Sequence, residues 1–239
     1  MIESPDNEKL KLVRKLAQRK HREREAAFVT EGEDLLAAGL AAGREPRLVL
    51  VAAGSGLDGE EVEPRLLASV SALGSGTRAI AIWERRWSEP GDSPCLYLHG
   101  VADPGNIGTI VRTAHALLGG TIVLGPGCAD PFSPKAVRAS MGSVFGQALA
   151  RGEVGETPAP RAALLAHGGG SLAALGGALT LCLGAEREGL PAEVLEACEA
   201  RVTIPLRPGG AESLNVAAVA AICAEKISSL AMPGAGPDA

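Results

Sequence analysis

Apolar positions recur with two different periods along this chain, and the changes of period mark its elements. Leu10, Val13, Leu16 and Ala17 form a stripe at helical spacing within Lys9–Ala27, with cations on the remaining faces. Residues 28–30 read as a short strand, 31–42 as a helix stopped by Gly43, and 47–52 as a strand. Residues 64–73 then read as a helix and 79–83 as a further strand. Residues 1–7 show neither period and are expected to fray. Alternating strands and helices of this length predict a small α/β domain. Ser88–Pro94 carries two prolines and a glycine among polar residues, which is linker composition. The expected domains are therefore 1–88 and 94–232.

In the second domain, 95–99 reads as a strand. Asp103-Pro104-Gly105 then turns into a helix whose stripe is Ile107, Ile110, Val111, Ala114, Leu117 and Leu118. Asn106, Thr109 and Arg112 fall off that stripe. Gly119-Gly120 ends the helix and 121–124 is the next strand, which completes a βαβ unit. Residues 131–138 form a loop entering a short helix, and 160–166 is expected to be helical. Residues 178–183 form an aliphatic strand that runs into the turn Gly184–Pro191. A parallel strand ending in such a turn puts it where α/β ligands bind. After a strand at 202–205 comes a loop broken by Pro205, Pro208, Gly209 and Gly210. Val216, Val219, Ala220, Cys223, Ile227 and Leu230 then mark a final helix. Ser213 is expected as its N-cap, with Asn215 in the first turn. Taken alone, the last helix start reads better as an ordinary capped end. Asn106 with Arg112 reads equally as a capping Asn with a solvated Arg and as a ligand contact. Recurrence of this character in three segments favours the ligand contact.

Composition narrows the classes. Of 239 residues 46% are hydrophobic and 21% charged, which fits a folded domain and argues against disorder. No apolar run is long enough to span a bilayer and the N-terminus is polar, so no membrane association is expected and the chain is read as cytoplasmic. Cys95, Cys128, Cys182, Cys198 and Cys223 are scattered without metal-ligand spacing, which predicts free thiols and no metal site. The sequence contains no GxxxxGK[ST], HExxH or GxSxG pattern. Net charge is -5, yet Lys9–Arg24 holds eight cations and one acid. A charge run by itself reads first as a solvated helix face. Within an acidic protein this basic helix is also the candidate phosphate contact, through Lys11, Arg14, Lys15, Arg19, Lys20 and Arg22.

Asp103–Ala114, Leu183–Leu190 and Ile204–Ala217, in this order and spacing, resemble the three motifs of the SpoU (TrmH-type) RNA ribose 2′-O-methyltransferases of the SPOUT superfamily. The resemblance covers about Pro94 to Leu230. It is looser for the first domain, which looks like the small α/β RNA-binding domain, related to ribosomal proteins, that precedes it in many members. The resemblance implies a parallel sheet whose C-terminal part is threaded into a deep trefoil knot. It implies a homodimer that binds S-adenosylmethionine and needs no metal. Leu183, Gly184, Ile204, Leu206 and Leu214 match cofactor-binding positions. Asn106, Arg112, Glu186, Ser213 and Asn215 match the catalytic set around the reacting ribose. Arg187 stands where many relatives carry a smaller residue, and 155–178 is shorter and richer in Gly and Ala than usual.

The leading expectation is an S-adenosylmethionine-dependent enzyme that methylates a ribose 2′-hydroxyl of structured RNA. Ribosomal RNA stands ahead of transfer RNA because of the ribosomal-protein-like first domain, and no DNA partner is expected. A non-catalytic RNA-binding or assembly factor is the alternative from another class, with a base methyltransferase third. Retention of the whole polar set argues against the factor.

Overall fold

The computed structural model describes residues 1–72, 76–91 and 94–231. Residues 92–93 of the expected linker and residue 232 at the expected domain end lie outside the described residues. Contacts divide the chain into two units, Met1–Arg86 with Asp130–Gly146, and Trp87–Ala129 with Gln147–Ala239.

The first unit starts with α1 (Glu8–Leu16), α2 (Arg19–Glu25), β1 (Ala27–Glu31), α3 (Glu33–Ala41) and β2 (Leu48–Ala52). It continues through β3 (Glu60–Val62), α4 (Pro64–Val70) and β4 (Ala79–Glu84). The single helix expected over 9–27 is two helices, broken at Ala17 and Gln18, where the apolar stripe ends and a cation-rich run follows. The expected frayed terminus is instead tied down. Ile2 is buried, donates its N–H to Glu61 O at 2.7 Å and accepts from Glu63 N at 2.9 Å. Gly54, Gly56 and Gly59 have Gly-x-Gly-x-x-Gly spacing after β2, but lead into β3 and not into a helix, so no dinucleotide loop is formed.

The sheet order is β1-β4-β2-β3, antiparallel except for β2 with β3. Strand alternation sorts the side chains to two covered faces. Ala27, Val29, Ile80 and Ile82 join Leu10, Val13, Leu16 and Leu67 in one core. On the other face Phe28 stands 5.1 Å from Phe132, and Trp83 stands edge-on to Phe145 at 4.7 Å. Both partner rings come from the 130–146 segment, far along the chain.

The second unit contains β5 (Cys95–Leu98), α5 (Pro104–Leu117) and β6 (Thr121–Leu124). The chain then supplies α6 (Pro134–Ser140) to the first unit and returns with β7 (Ala148–Arg151) and β8 (Arg161–Leu165). β9 (Thr180–Leu183), α7 (Ala192–Glu196), β10 (Ala200–Thr203) and α8 (Val216–Ala231) complete it. Six strands lie in the order β10-β8-β9-β5-β6-β7, and every neighbouring pair is parallel. Within 160–166, expected to be helical, Arg161–Leu165 forms β8. So short an aliphatic run has no period that separates a buried strand from a buried helix. All parallel strands end on one edge of the sheet, so the loops after β8, β9 and β10 lie along that edge.

Candidate active site

Asp103 opens α5. Its carboxylate accepts from Gly105 N at 2.7 Å and Asn106 N at 3.1 Å, and Pro104 occupies the first turn, where no N–H is missed. The first turn is thereby fixed, and with it the direction of the Asn106 side chain. After β9 the chain makes a closed turn, with Ala185 N donating to Gly189 O at 3.1 Å and Gly189 N to Ala185 O at 3.0 Å. Gly184 enters this turn with no room for a side chain. A Cβ there would strike the Gly189 carbonyl and stand 2.6 Å from Leu190 N. α8 is capped by Asn215, whose Oδ1 accepts from Ala217 N at 2.9 Å. The expected cap, Ser213, lies upstream in the loop, since the helix begins only at Val216.

These three segments meet through their polar side chains. Asn106 Nδ2 donates to Glu186 Oε1 at 2.7 Å. Asn215 Nδ2 donates to Asn106 Oδ1 at 3.0 Å and is 3.2 Å from Glu186 Oε1. The amide of Asn215 thus caps a helix with one end and closes the triad with the other. Beside the triad lies a cavity of about 290 Å³. Leu183, Gly184, Ile204, Leu206 and Leu214 all line it, and Glu186 and Ser213 stand at its wall. Sequence reasoning missed Leu164, Leu165, Ala166, Val216 and Val219, which also line it. The first three were hidden by the helical reading of β8; the others sit on the recognised stripe of α8, taken wholly as core.

Arg112 is not among the lining residues. It is exposed on α5 and makes no hydrogen bond or ion pair among the described residues. Six positions of helix place it about 120° round the axis from Asn106. The fold therefore gathers Asn106, Glu186, Ser213 and Asn215 and leaves the guanidinium of Arg112 open to solvent.

Comparison with known proteins fits this arrangement. The SpoU rRNA Methylase family profile matches residues 93–225, more than half of the chain. The chain belongs to the SpoU rRNA Methylase family. Residues 7–82 match the MRM3-like substrate binding domain. A relative in Bacillus subtilis, 23S rRNA (guanosine(2553)-2′-O)-methyltransferase RlmP, is 30% identical and is aligned over 92% of this chain and 96% of its own. The AdoMet-bound rRNA methyltransferase of Sinorhizobium meliloti superposes with a TM-score of 0.82 at 27% identity, covering 95% of this chain and 96% of that one. An RNA 2′-O ribose methyltransferase superposes at 0.76 with 28% identity, over 95% and 97%.

In the first unit the expected phosphate contacts differ in availability. Lys11 is 3.0 Å from Glu8, Arg19 is 3.0 Å from Glu23, and Arg14 donates to Pro5 O at 2.9 Å. Lys15 and Lys20 are exposed. Arg22 is a correction. Only 3% exposed, it donates to Asp130 Oδ2 at 2.8 Å and to the carbonyls of Leu16 and Ala17. A guanidinium buried on an aspartate is removed from any surface that meets RNA.

Proposed function

We propose that this member of the family transfers a methyl group from S-adenosylmethionine to a ribose 2′-hydroxyl of ribosomal RNA, with the cavity behind Gly184 as the donor site. The observation that carries the reading is the convergence of Asn106, Glu186 and Asn215, from three distant segments, beside a cavity at the carboxyl edge of a parallel sheet. The residues fit such a donor. The cavity is near the lower end of the size range of ligand pockets, and Leu183, Ile204, Leu206 and Leu214 offer apolar walls for a flat base. Gly184 has no side chain because the Gly189 backbone fills that place, which lets the turn close beside the cavity.

Bound S-adenosylmethionine supplies an electrophilic methyl on a sulfonium. This chain's residues have the complementary task of holding a weakly acidic hydroxyl and the negative charge that grows on its oxygen. Arg112 is assigned as a clamp on the neighbouring phosphate, which places a fixed cation near that oxygen. The role of a general base is disfavoured, because a guanidinium hardly deprotonates in a protein. Glu186 holds both asparagine amides, so Asn106 and Asn215 present a fixed polar rim to the ribose. Ser213 adds a hydroxyl there.

Support for ribosomal RNA comes from the relative and the structure that align along the whole chain, first domain included, and whose names specify rRNA. Lys15 and Lys20 then belong to the RNA-facing surface, with Lys11, Arg14 and Arg19 beside them. The residues after β10 are read as threaded into a trefoil knot, and the protein as a cytoplasmic homodimer. The scattered spacing of the five cysteines, without a disulfide framework, supports a reducing compartment. Titration calorimetry with S-adenosylmethionine, followed by labelled transfer to rRNA and tRNA pools, tests the reading. Binding with label in rRNA is expected; absence of binding would restore the non-catalytic factor, and label in tRNA alone would move the substrate.

A further inference from the structure

Strand β9 delivers more than the turn at Gly184. One residue before Leu183, Cys182 lies fully buried with its Sγ 3.6 Å from Cys198 Sγ. The two cysteines are 16 positions apart and flank the whole stretch that carries Gly184, Glu186 and α7. Cys182 sits in the middle of the sheet, opposite Tyr97 on β5 and Ala163 on β8. Cys198 is only half-buried, in the short link between α7 and β10. We propose that Cys182 and Cys198 form a reversible disulfide site, and that its closure reshapes the cavity behind Gly184.

The pair is chemically divided. With both thiols neutral, Cys198 donates to the Cys182 sulfur. Ionisation reverses that bond. Cys198 is held below the ordinary thiol value, chiefly by the hydrogen bond from Cys182, with Arg161 and Arg201 helping against desolvation and Glu199. Cys182 is held above it, by keeping the proton of the same bond and by burial, with Cys95 nearby adding to the rise. Cys198 is therefore the attacking sulfur and Cys182 the resolving one.

The oxidant is a low-molecular-weight disulfide, RSSR. The Cys198 thiolate attacks one of its sulfurs, a Cys198–SR bond forms, and RS⁻ leaves. Cys182 then gives up its proton and attacks Cys198 Sγ; the Cys182–Cys198 bond forms, the Cys198–SR bond breaks, and a second RS⁻ leaves and is protonated. Two protein thiols are oxidised while one RSSR is reduced to two RSH.

Bonded sulfurs stand about 2.05 Å apart, so closure from the present separation needs a shift of about 1.5 Å. Ladder hydrogen bonds on both sides hold Cys182 in place. The shift therefore falls on Cys198 and the α7 segment, whose Val194 is buried with Leu190 at the end of the turn. Through Leu190 it reaches Gly189 and Gly184, which line the cavity. The effect on cofactor rests on the donor-site reading above; the disulfide itself does not.

The test treats the reduced protein with oxidised glutathione, alkylates it, and maps peptides by mass spectrometry, in parallel with S-adenosylmethionine titrations. A Cys182–Cys198 peptide is expected, with cofactor affinity lower by at least about 10-fold, the scale on which displacements near 1 Å act at a site. A thiol reductant should restore it. Cys198→Ala and Cys182→Ser should each lose the disulfide and keep full affinity after oxidation. Glutathione stably attached to Cys198, or a bond from Cys182 to Cys95, would overturn the site. A clean disulfide with unchanged affinity would overturn the coupling to the cavity. If the reduced protein fails to bind S-adenosylmethionine while the disulfide still forms, the donor-site reading fails and the thiol site stands.

Discussion

Glu186 holds two amides from two other segments on one carboxylate oxygen. Glu186→Gln keeps the shape but replaces a charged acceptor by a neutral one, so the rim loses its strongest anchor. Methyl transfer should drop while the fold stays intact, which a rate assay beside a thermal melt will show. Arg112 has the opposite character, an exposed cation tied to nothing among the described residues. Arg112→Ala should lower the transfer rate by about 100-fold or more, as loss of a charge-stabilising donor does. Calorimetry should find S-adenosylmethionine affinity unchanged. Asn106 and Asn215, which the structure brings together, were legible as polar residues standing off or just ahead of clear apolar stripes; Arg112 reads the same way but stands apart from them. Their geometry was not legible. Ser213 was taken for the cap that Asn215 provides, since both types cap and only the position of Val216 decides. A charge run likewise does not say which cation is buried; Arg22 reads like its exposed neighbours, and only Asp130, 108 positions away, sets it apart.

At the scale of elements, the turn after β9 and the segment 130–146 carry different kinds of constraint. Gly184→Ala forces a Cβ into the Gly189 carbonyl, and backbone must move to admit it. The turn should open, with cofactor affinity falling by more than about 10-fold, read by titration. The 130–146 segment is anchored within the first unit by a buried ion pair and by rings packed tilted or edge-on against Phe28 and Trp83. Arg22→Ala leaves Asp130 buried with Arg85, 4.0 Å away, as its remaining cation, so the loss in denaturant unfolding should stay below the ~3–5 kcal/mol of a wholly unpaired buried charge. Long, periodic elements such as α1, α5 and α8 were legible, as were β5, β6 and β9 from their flanking turns. β8 was not, because Ala162, Ala163 and Leu164 fit a strand and a helix equally well. Membership of 130–146 in the first unit was invisible for a different reason. It depends on pairings such as Arg22 with Asp130, 108 positions apart, which no local pattern encodes.

For the whole molecule, the proposed division of labour is an RNA-reading unit attached to a methyl-transferring one. The first should act through phosphate neutralisation and the second through cofactor and ribose. Replacing Lys15 and Lys20 together by Ala should weaken RNA binding and flatten its salt dependence by about 1–2 in log–log slope, leaving S-adenosylmethionine affinity untouched. Filter binding across a salt series checks this, and an unchanged slope would place the RNA elsewhere. The transfer reaction gives the most direct test of the account as a whole. In a single turnover with saturating S-adenosylmethionine, nucleoside mass spectrometry of the rRNA product should show one nucleoside methylated on its ribose 2′-oxygen, formed about 100-fold or more slowly with Arg112→Ala. A methyl on a base nitrogen, or transfer at the full rate by Arg112→Ala, would contradict it.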